Sequence, residues 1–109
     1  MIIAFTLGST KNYNESLLAD RETKKCGKSE DYDGGWVWKS EKEAIEFLHS
    51  SDFLKVDWGD GKSRNPNNFS VYGVIINNWE KDTYCSDKDN QFHLLIDAKI
   101  ITLQDRNSI

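Results

Sequence analysis

The stretch Gly34–Leu48, GGWVWKSEKEAIEFL, specifies the best-defined local structure in the chain. Two glycines lead into a short aromatic segment. Ser40, followed three residues later by Glu43, forms a capping box, in which each side chain satisfies a backbone donor at the start of a helix. The stretch therefore predicts a glycine turn, a strand at Trp36–Trp38 and a helix over residues 41–50. One face of this helix is apolar at helical spacing, with Ala44, Ile45, Phe47 and Leu48.

Strands are predicted on both sides of this unit, from β-branched and aromatic residues in short runs bounded by turn residues. The clearest is residues 69–77, where Gly73 indicates a bulge or a close approach of another backbone. Residues 78–84 are expected to extend a hairpin, and residues 85–91 to form a solvated loop. The remaining predicted strands cover residues 2–7, 92–97 and 99–103, with one strand broken by a bulge near Ala98 as the alternative for the last two.

A second short helix is predicted over residues 15–20, and a polar loop over residues 21–35. Residues 53–58 fit either a helical turn or a strand. Because strands outnumber helices and the later strands are consecutive, the predicted fold class is α+β. We expect a single small domain over residues 1–109, with a mixed or mainly antiparallel sheet of about 4–6 strands and two short helices, ending in a polar tail from residue 104.

Charge and composition argue against several classes of function. The net charge of −4 disfavours a nucleic-acid binder, whose phosphate contacts need a basic face. The opening residues 1–7 lack a basic lead and are too few for a signal-peptide core or a membrane span, so no membrane partner and a cytoplasmic location are predicted. In that compartment Cys26 and Cys85 are expected to be free thiols, with a bridge between them as the alternative.

The sequence contains no recognisable catalytic or metal-binding constellation. The cysteines and histidines lack the close spacing of zinc modules, and residues 57–61 have too few carboxylates for a calcium loop. His49 is expected near the end of the capped helix, where the dipole favours a cation. No catalytic residue, metal or cofactor is predicted. Whether the chain is an enzyme stays open, and a protein without catalytic activity is favoured.

The aromatic residues beside loops give the one candidate site for a protein partner or small ligand. An amphipathic ring at the end of a sheet can line a cleft, stack on a ligand or anchor a partner. Core packing is the competing interpretation for the tryptophans, and a structural role is the competing one for the strand histidine. The predicted ligand- or partner-binding residues are Trp36, Trp38, Trp58, Tyr72, Trp79 and His93.

The order of the elements over residues 2–76 resembles the opening half of small ADP-ribosyltransferase-like folds. In those families a glycine-led strand ends in Ser or Thr before a helix, as Trp36-Val37-Trp38-Lys39-Ser40 does here. The first strand, however, has neither the His nor the Arg that those enzymes use beside the nicotinamide, and no late Glu has a catalytic context. The resemblance implies a nucleotide-directed enzyme or sensor that handles NAD or ADP-ribose. Its pocket would be shared by Tyr72, Trp38 and His93.

The leading hypothesis is a small cytosolic binding or interaction module without catalytic activity. Its contact surface would combine the loops at 21–35 and 59–68 with the nearby tryptophans. One special case is an acidic inhibitor or immunity-type protein that covers a basic site on its partner. The carboxylates that would steer such a partner are Glu30, Asp31, Asp33, Asp57, Asp60, Asp87 and Asp89. The oligomeric state is not predicted.

Overall fold

A computed structural model describes residues 2–10, 35–56, 61–87, 90–96 and 98–103. These residues form an α+β fold with antiparallel sheets, which confirms the predicted class. The elements in chain order are β1 (Ile2–Ser9), α1 (Glu41–Leu48), β2 (Phe69–Ile76), α2 (Trp79–Asp82), β3 (Thr83–Ser86), β4 (Gln91–Leu94) and β5 (Lys99–Ile101), with 3-10 helices at Phe53–Lys55 and Pro66–Asn68.

The strands form a three-stranded sheet, β1-β2-β5, and a two-stranded sheet, β3-β4. Residues 35–38, here called the central segment, lie between the two sheets and join them. On one side, Phe5 and Trp38 exchange backbone hydrogen bonds of 2.9 and 2.8 Å. On the other side, Trp36 lies opposite His93. The strand order is therefore β5-β2-β1-central segment-β4-β3, with antiparallel pairing throughout.

Each face of this combined sheet carries its own core, because residues directly paired across antiparallel strands project to the same side. One face, the α1 face, is covered by α1 and the first 3-10 helix. The opposite face, the Trp79 face, is covered by Trp79 of α2. The buried core of the α1 face consists of Leu7, Ala44, Leu48, Phe53, Phe69 and Val71. That of the Trp79 face consists of Ala4, Val37, Val74, Ile76, Trp79 and Leu94.

The helix α1 begins at the predicted capping box. The Ser40 hydroxyl accepts a hydrogen bond from the Glu43 backbone N–H at 3.1 Å, and the Glu43 carboxylate accepts one from the Ser40 N–H at 3.1 Å. Ala44 and Leu48 are buried against the sheet, as their spacing predicted, whereas Ile45 is 42% exposed. The box fixes where the helix starts, and the apolar stripe fixes which side of it meets β1 and β2.

Gly73 marks no bulge, and its close neighbour is a side chain and not the backbone that the sequence predicts. It pairs with Phe5 and with Ile101 in continuous registers. A Cβ atom at this position would lie 3.0 Å from Cγ1 and 3.3 Å from Cδ1 of Ile101. The glycine therefore lets the Ile101 side chain lie across the middle strand of the three-stranded sheet.

The stretch predicted to extend a hairpin is different in the structure. Residues Trp79–Asp82 form the short helix α2, because the Asn78 side chain accepts a hydrogen bond from the Lys81 N–H at 2.9 Å and caps its start. The strand β3 then occupies Thr83–Ser86, so that the predicted loop at 85–91 is shorter and ends where β4 begins.

The other boundaries are also refined by the structure. Of the undecided stretch 53–58, residues Phe53–Lys55 form a helical turn of the 3-10 type. The two last predicted strands are shorter than expected, at Gln91–Leu94 and Lys99–Ile101. The predicted helix at 15–20, most of the predicted loop at 21–35 and the tail from residue 104 lie outside the described residues.

Candidate functional site

The α1 face carries a continuous chain of aromatic rings, here called the aromatic row: Trp38, Phe47, Trp36, His93 and Tyr84. The Phe47 ring lies 5.0 Å from Trp38 and 5.7 Å from Trp36, measured between ring centroids. His93 follows at 5.9 Å from Trp36, and Tyr84 stacks on His93 at 5.5 Å. The row thus extends from α1 to the last strand of the β3-β4 pair.

Strand register explains why these rings meet. Trp36 lies opposite His93, and His93 lies opposite Tyr84, so all three side chains project to the same face. Trp38 is two residues beyond Trp36 and therefore shares that face. Phe47 joins the row from the helix side, because α1 packs against β1 and β2. One helix and three adjacent strands thus contribute to a single surface.

Solvent reaches the row unevenly. His93 is buried, with 1% of its surface exposed. Trp36, Trp38, Phe47 and Tyr84 are each half-buried. The imidazole is therefore a packed part of the sheet. The four other rings offer apolar surface to anything that docks on this face.

Three of the predicted site residues, Trp36, Trp38 and His93, are brought together in the row. Tyr72 is not, because it pairs with Thr6 and projects to the Trp79 face. There its hydroxyl donates a hydrogen bond of 2.8 Å to the Ser9 carbonyl. The three residues that a shared nucleotide pocket would need thus lie on opposite faces of the sheet.

Trp79 is also separate from the row, since it is buried in the core of the opposite face. Its ring packs at 5.0 Å from Phe92, which is 38% exposed, and the Lys39 ammonium lies 5.9 Å from the Trp79 centroid. This arrangement is core packing covered by a cation–π contact. Trp58, the remaining predicted residue, lies outside the described residues.

The comparisons with protein-family models, with curated proteins and with solved structures give no match for this chain.

Two members of the row, Phe47 and Tyr84, were not predicted as site residues. Phe47 was assigned to the buried stripe of the capped helix, although it lies at the border of that stripe. Tyr84 ends the stretch 78–84, which the sequence predicts to extend a hairpin. The register of the β3-β4 pair places Tyr84 opposite His93, whereas Phe47 joins the row from α1, with its ring 5.7 Å from that of Trp36.

The other residue types considered for metal binding or catalysis do not form a cluster in the described part of the chain. Among the residues that the structure describes, no three His, Cys, Asp or Glu side chains come together as a metal site. His49 is exposed at the end of α1. Cys85 is an exposed free thiol, 3.8 Å from Oδ1 of Asn90, whereas Cys26 lies outside the described ranges.

The structure tests only part of two further expectations, on the membrane and on the steering carboxylates. No helix within the described ranges has the length and apolar character to cross a membrane. Of the seven carboxylates expected to steer a basic partner, Asp87 is described and is exposed just after β3. The other six lie outside the described residues.

Proposed function

We propose that this chain is a small binding module without catalytic activity, and that the aromatic row is its contact surface. The observation that carries the proposal is that four rings in contact with their neighbours, Trp36, Trp38, Phe47 and Tyr84, each remain half-buried. If these rings served only to stabilise the fold, covering them completely would stabilise it further, because each Å² of buried apolar surface contributes about 25 cal/mol.

The packing of the row favours binding because it holds the rings in place before a partner arrives. Trp36 is fixed between Phe47 and His93, and its backbone is fixed by the sheet. A contact residue that is already immobile loses little conformational entropy on binding. Trp and Tyr are also the residue types most often found as energetic anchors of protein interfaces.

The orientation of the rings favours a protein partner over a flat ligand. The Trp36 ring meets Phe47 at an interplanar angle of 70° and His93 at 64°, so edges and faces already contact one another within the row. A nucleobase needs an open ring face for stacking. Apolar side chains of a protein can instead pack against the half-buried rings from several directions. The net charge of −4 would speed association with a basic partner, as an inhibitor or immunity-type protein requires.

The cytoplasm is the compartment that we propose for this module. The exposed, free thiol of Cys85 supports it, because exposed thiols persist where glutathione and thioredoxin keep them reduced.

A photo-crosslinking amino acid, p-benzoylphenylalanine, tests the contact surface. It replaces Phe47 in one variant and Ile45 in the other, because both lie on α1 but Ile45 projects away from the row and is 42% exposed. We expect one defined crosslinked partner from position 47 and none of that species from position 45. Equal crosslinking from the two positions, or none from either, would contradict the proposal.

A thermal-shift and tryptophan-fluorescence panel of NAD, ADP-ribose and ATP separates a small ligand from a protein partner. A ligand at one hundred times its dissociation constant stabilises the fold by about 2.7 kcal/mol. We expect no shift from these nucleotides. A shift that disappears on Trp38→Leu, but not on Leu54→Ala, would replace the protein partner by a nucleotide at the same surface.

A further inference from the structure

We propose that the partner presents an arginine, whose stem packs on Phe47 and whose guanidinium pairs with Glu43; this rests on the function proposed above. Glu43 is exposed and negatively charged. A carboxylate beside apolar rings is complementary to a side chain that combines an apolar stem with a positively charged head. Arginine is such a side chain, and three features of the surroundings of Glu43 favour it.

The first feature is that the capping box holds the Glu43 carboxylate in place. Its Oε2 accepts hydrogen bonds from the Ser40 backbone N–H at 3.1 Å and from the Ser40 hydroxyl at 2.8 Å. Within the described part of the chain, these bonds leave the other oxygen, Oε1, without a donor. A carboxylate that is already held loses little conformational entropy when a cation binds to it.

The second feature is the position of this carboxylate at one end of the aromatic row. Phe47 follows Glu43 by four residues on α1, so their side chains are neighbours, with Cβ atoms about 5–6 Å apart. The Phe47 ring lies 5.0 Å from Trp38, two residues before the Ser40 that holds the carboxylate. Both rings are half-buried. A side chain that crosses Phe47 therefore reaches the carboxylate.

The third feature is that the neighbouring lysines are engaged elsewhere. The Lys42 ammonium lies 3.9 Å from the Glu46 carboxylate. The Lys39 ammonium lies 5.9 Å from the Trp79 centroid, on the opposite face of the sheet. Among the residues that the structure describes, Glu43 forms no ion pair. Its charge is therefore open to a cation that a partner supplies.

The geometry of the row favours arginine over other cations. Its methylene stem can cover a half-buried ring without the open ring face that stacking needs, while its head stays beside the carboxylate. The planar guanidinium offers two parallel N–H groups to a carboxylate, which the ammonium of lysine does not. Arginine is also among the residue types enriched as energetic anchors of protein interfaces.

Random peptides of about twelve residues, displayed on phage and selected on the full chain, are the probe. Peptides that bind at the row are those that crosslink to p-benzoylphenylalanine at position 47 and not at position 45. We expect them to carry an arginine, and its replacement by citrulline, a neutral isostere, to raise the dissociation constant about five- to tenfold. Replacement by lysine should raise it about threefold, because the charge is kept and the fork is lost. Binding that ignores both replacements would overturn the arginine contact.

Glu43→Gln tests the carboxylate without removing the cap, because glutamine serves as well as glutamate in a capping box. In this variant the change from arginine to citrulline should alter the dissociation constant by less than about twofold. Glu46→Gln is the matched control. It makes the same change in charge on the same helix, but Glu46 is exposed, is paired with Lys42 and points about 100° away from Phe47 around the helix axis.

The outcomes separate this arginine contact from the contact surface itself. Row-binding peptides without an arginine, or an arginine effect that persists in Glu43→Gln, would overturn the contact with Glu43 and leave the aromatic row as a binding surface. An arginine effect that is lost equally in Glu46→Gln would overturn it too, because it would reflect the overall charge of α1. If no peptide crosslinks selectively at position 47, the proposed contact surface is contradicted, and the arginine contact with it.

Discussion

Trp36 lies directly opposite His93, and the two backbone hydrogen bonds that flank this pair join the β3-β4 hairpin to the rest of the sheet. The Gln91 side chain reinforces the junction, since its Nε2 donates to the Val37 carbonyl at 3.0 Å. The same residue pair stands in the middle of the aromatic row. The junction that completes the sheet therefore also positions the rings that we propose for binding.

The Thr6 hydroxyl supports this junction from the other side, because it donates to the Trp36 carbonyl at 2.9 Å and Thr6 is fully buried. Thr6→Val keeps the shape and removes the donor, so we expect a loss of about 1 kcal/mol in the free energy of unfolding. Urea denaturation measures it. The matched control is Thr10→Val, at an exposed hydroxyl bonded to the Asn68 carbonyl, where the loss should be much smaller. Equal losses at the two sites would contradict a special role for Thr6.

Phe53 is the largest fully buried side chain in the core of the α1 face. It is fully buried, with Phe47 at 6.4 Å and Phe69 at 5.1 Å between ring centroids. Phe53→Ala leaves a cavity between these rings, and we expect the free energy of unfolding to fall by about 3–5 kcal/mol. Leu54→Ala, one residue later and 51% exposed, should change it by less than about 0.5 kcal/mol. Similar effects in the two variants would show that the 3-10 helix does not pack as described.

Local chemistry explains what could be predicted from the sequence. The start of α1 was predicted correctly because Ser40 and Glu43 satisfy each other's backbone within one turn. The α+β class followed from consecutive strands, which left a mixed sheet open beside the mainly antiparallel one that the structure has. The helix α2 was missed because its Asn78 cap is followed by only four helical residues, too few for an apolar period to develop.

The site was harder to predict, because it depends on register. Alternation along β2 places Tyr72 and Val71 on opposite faces of the sheet, but it does not tell which of the two faces carries Trp38. That choice is made by the pairing of Thr6 with Tyr72 and of Phe5 with Trp38, over long sequence separations. Three of the predicted residues are together for this reason, and Tyr72 is on the opposite face for the same reason.

The capping box gives a direct test of how strongly α1 is specified. Ser40→Ala removes the hydroxyl that accepts from the Glu43 N–H, and we expect a loss of about 1 kcal/mol in the free energy of unfolding. Ser40→Thr should keep most of the stability, since threonine caps through the same oxygen. Ser51→Ala, at an exposed residue after the helix, is the control. Thermal unfolding that is unchanged in Ser40→Ala would show that tertiary packing alone holds the helix start.

A double-mutant cycle tests the close approach at Gly73. In Gly73→Ala the new Cβ would lie 3.0 Å from Cγ1 of Ile101, so the isoleucine has to shift, and we expect a loss of about 1 kcal/mol or more. Ile101→Ala alone should cost about 2–5 kcal/mol, because this side chain is 6% exposed. The two changes together should cost less than the sum of the single losses, since the alanine at position 101 makes room for the new Cβ and this Cβ fills part of the cavity that Ile101→Ala leaves. Strictly additive losses in urea denaturation would mean that the cost of Gly73→Ala does not arise from its contact with Ile101.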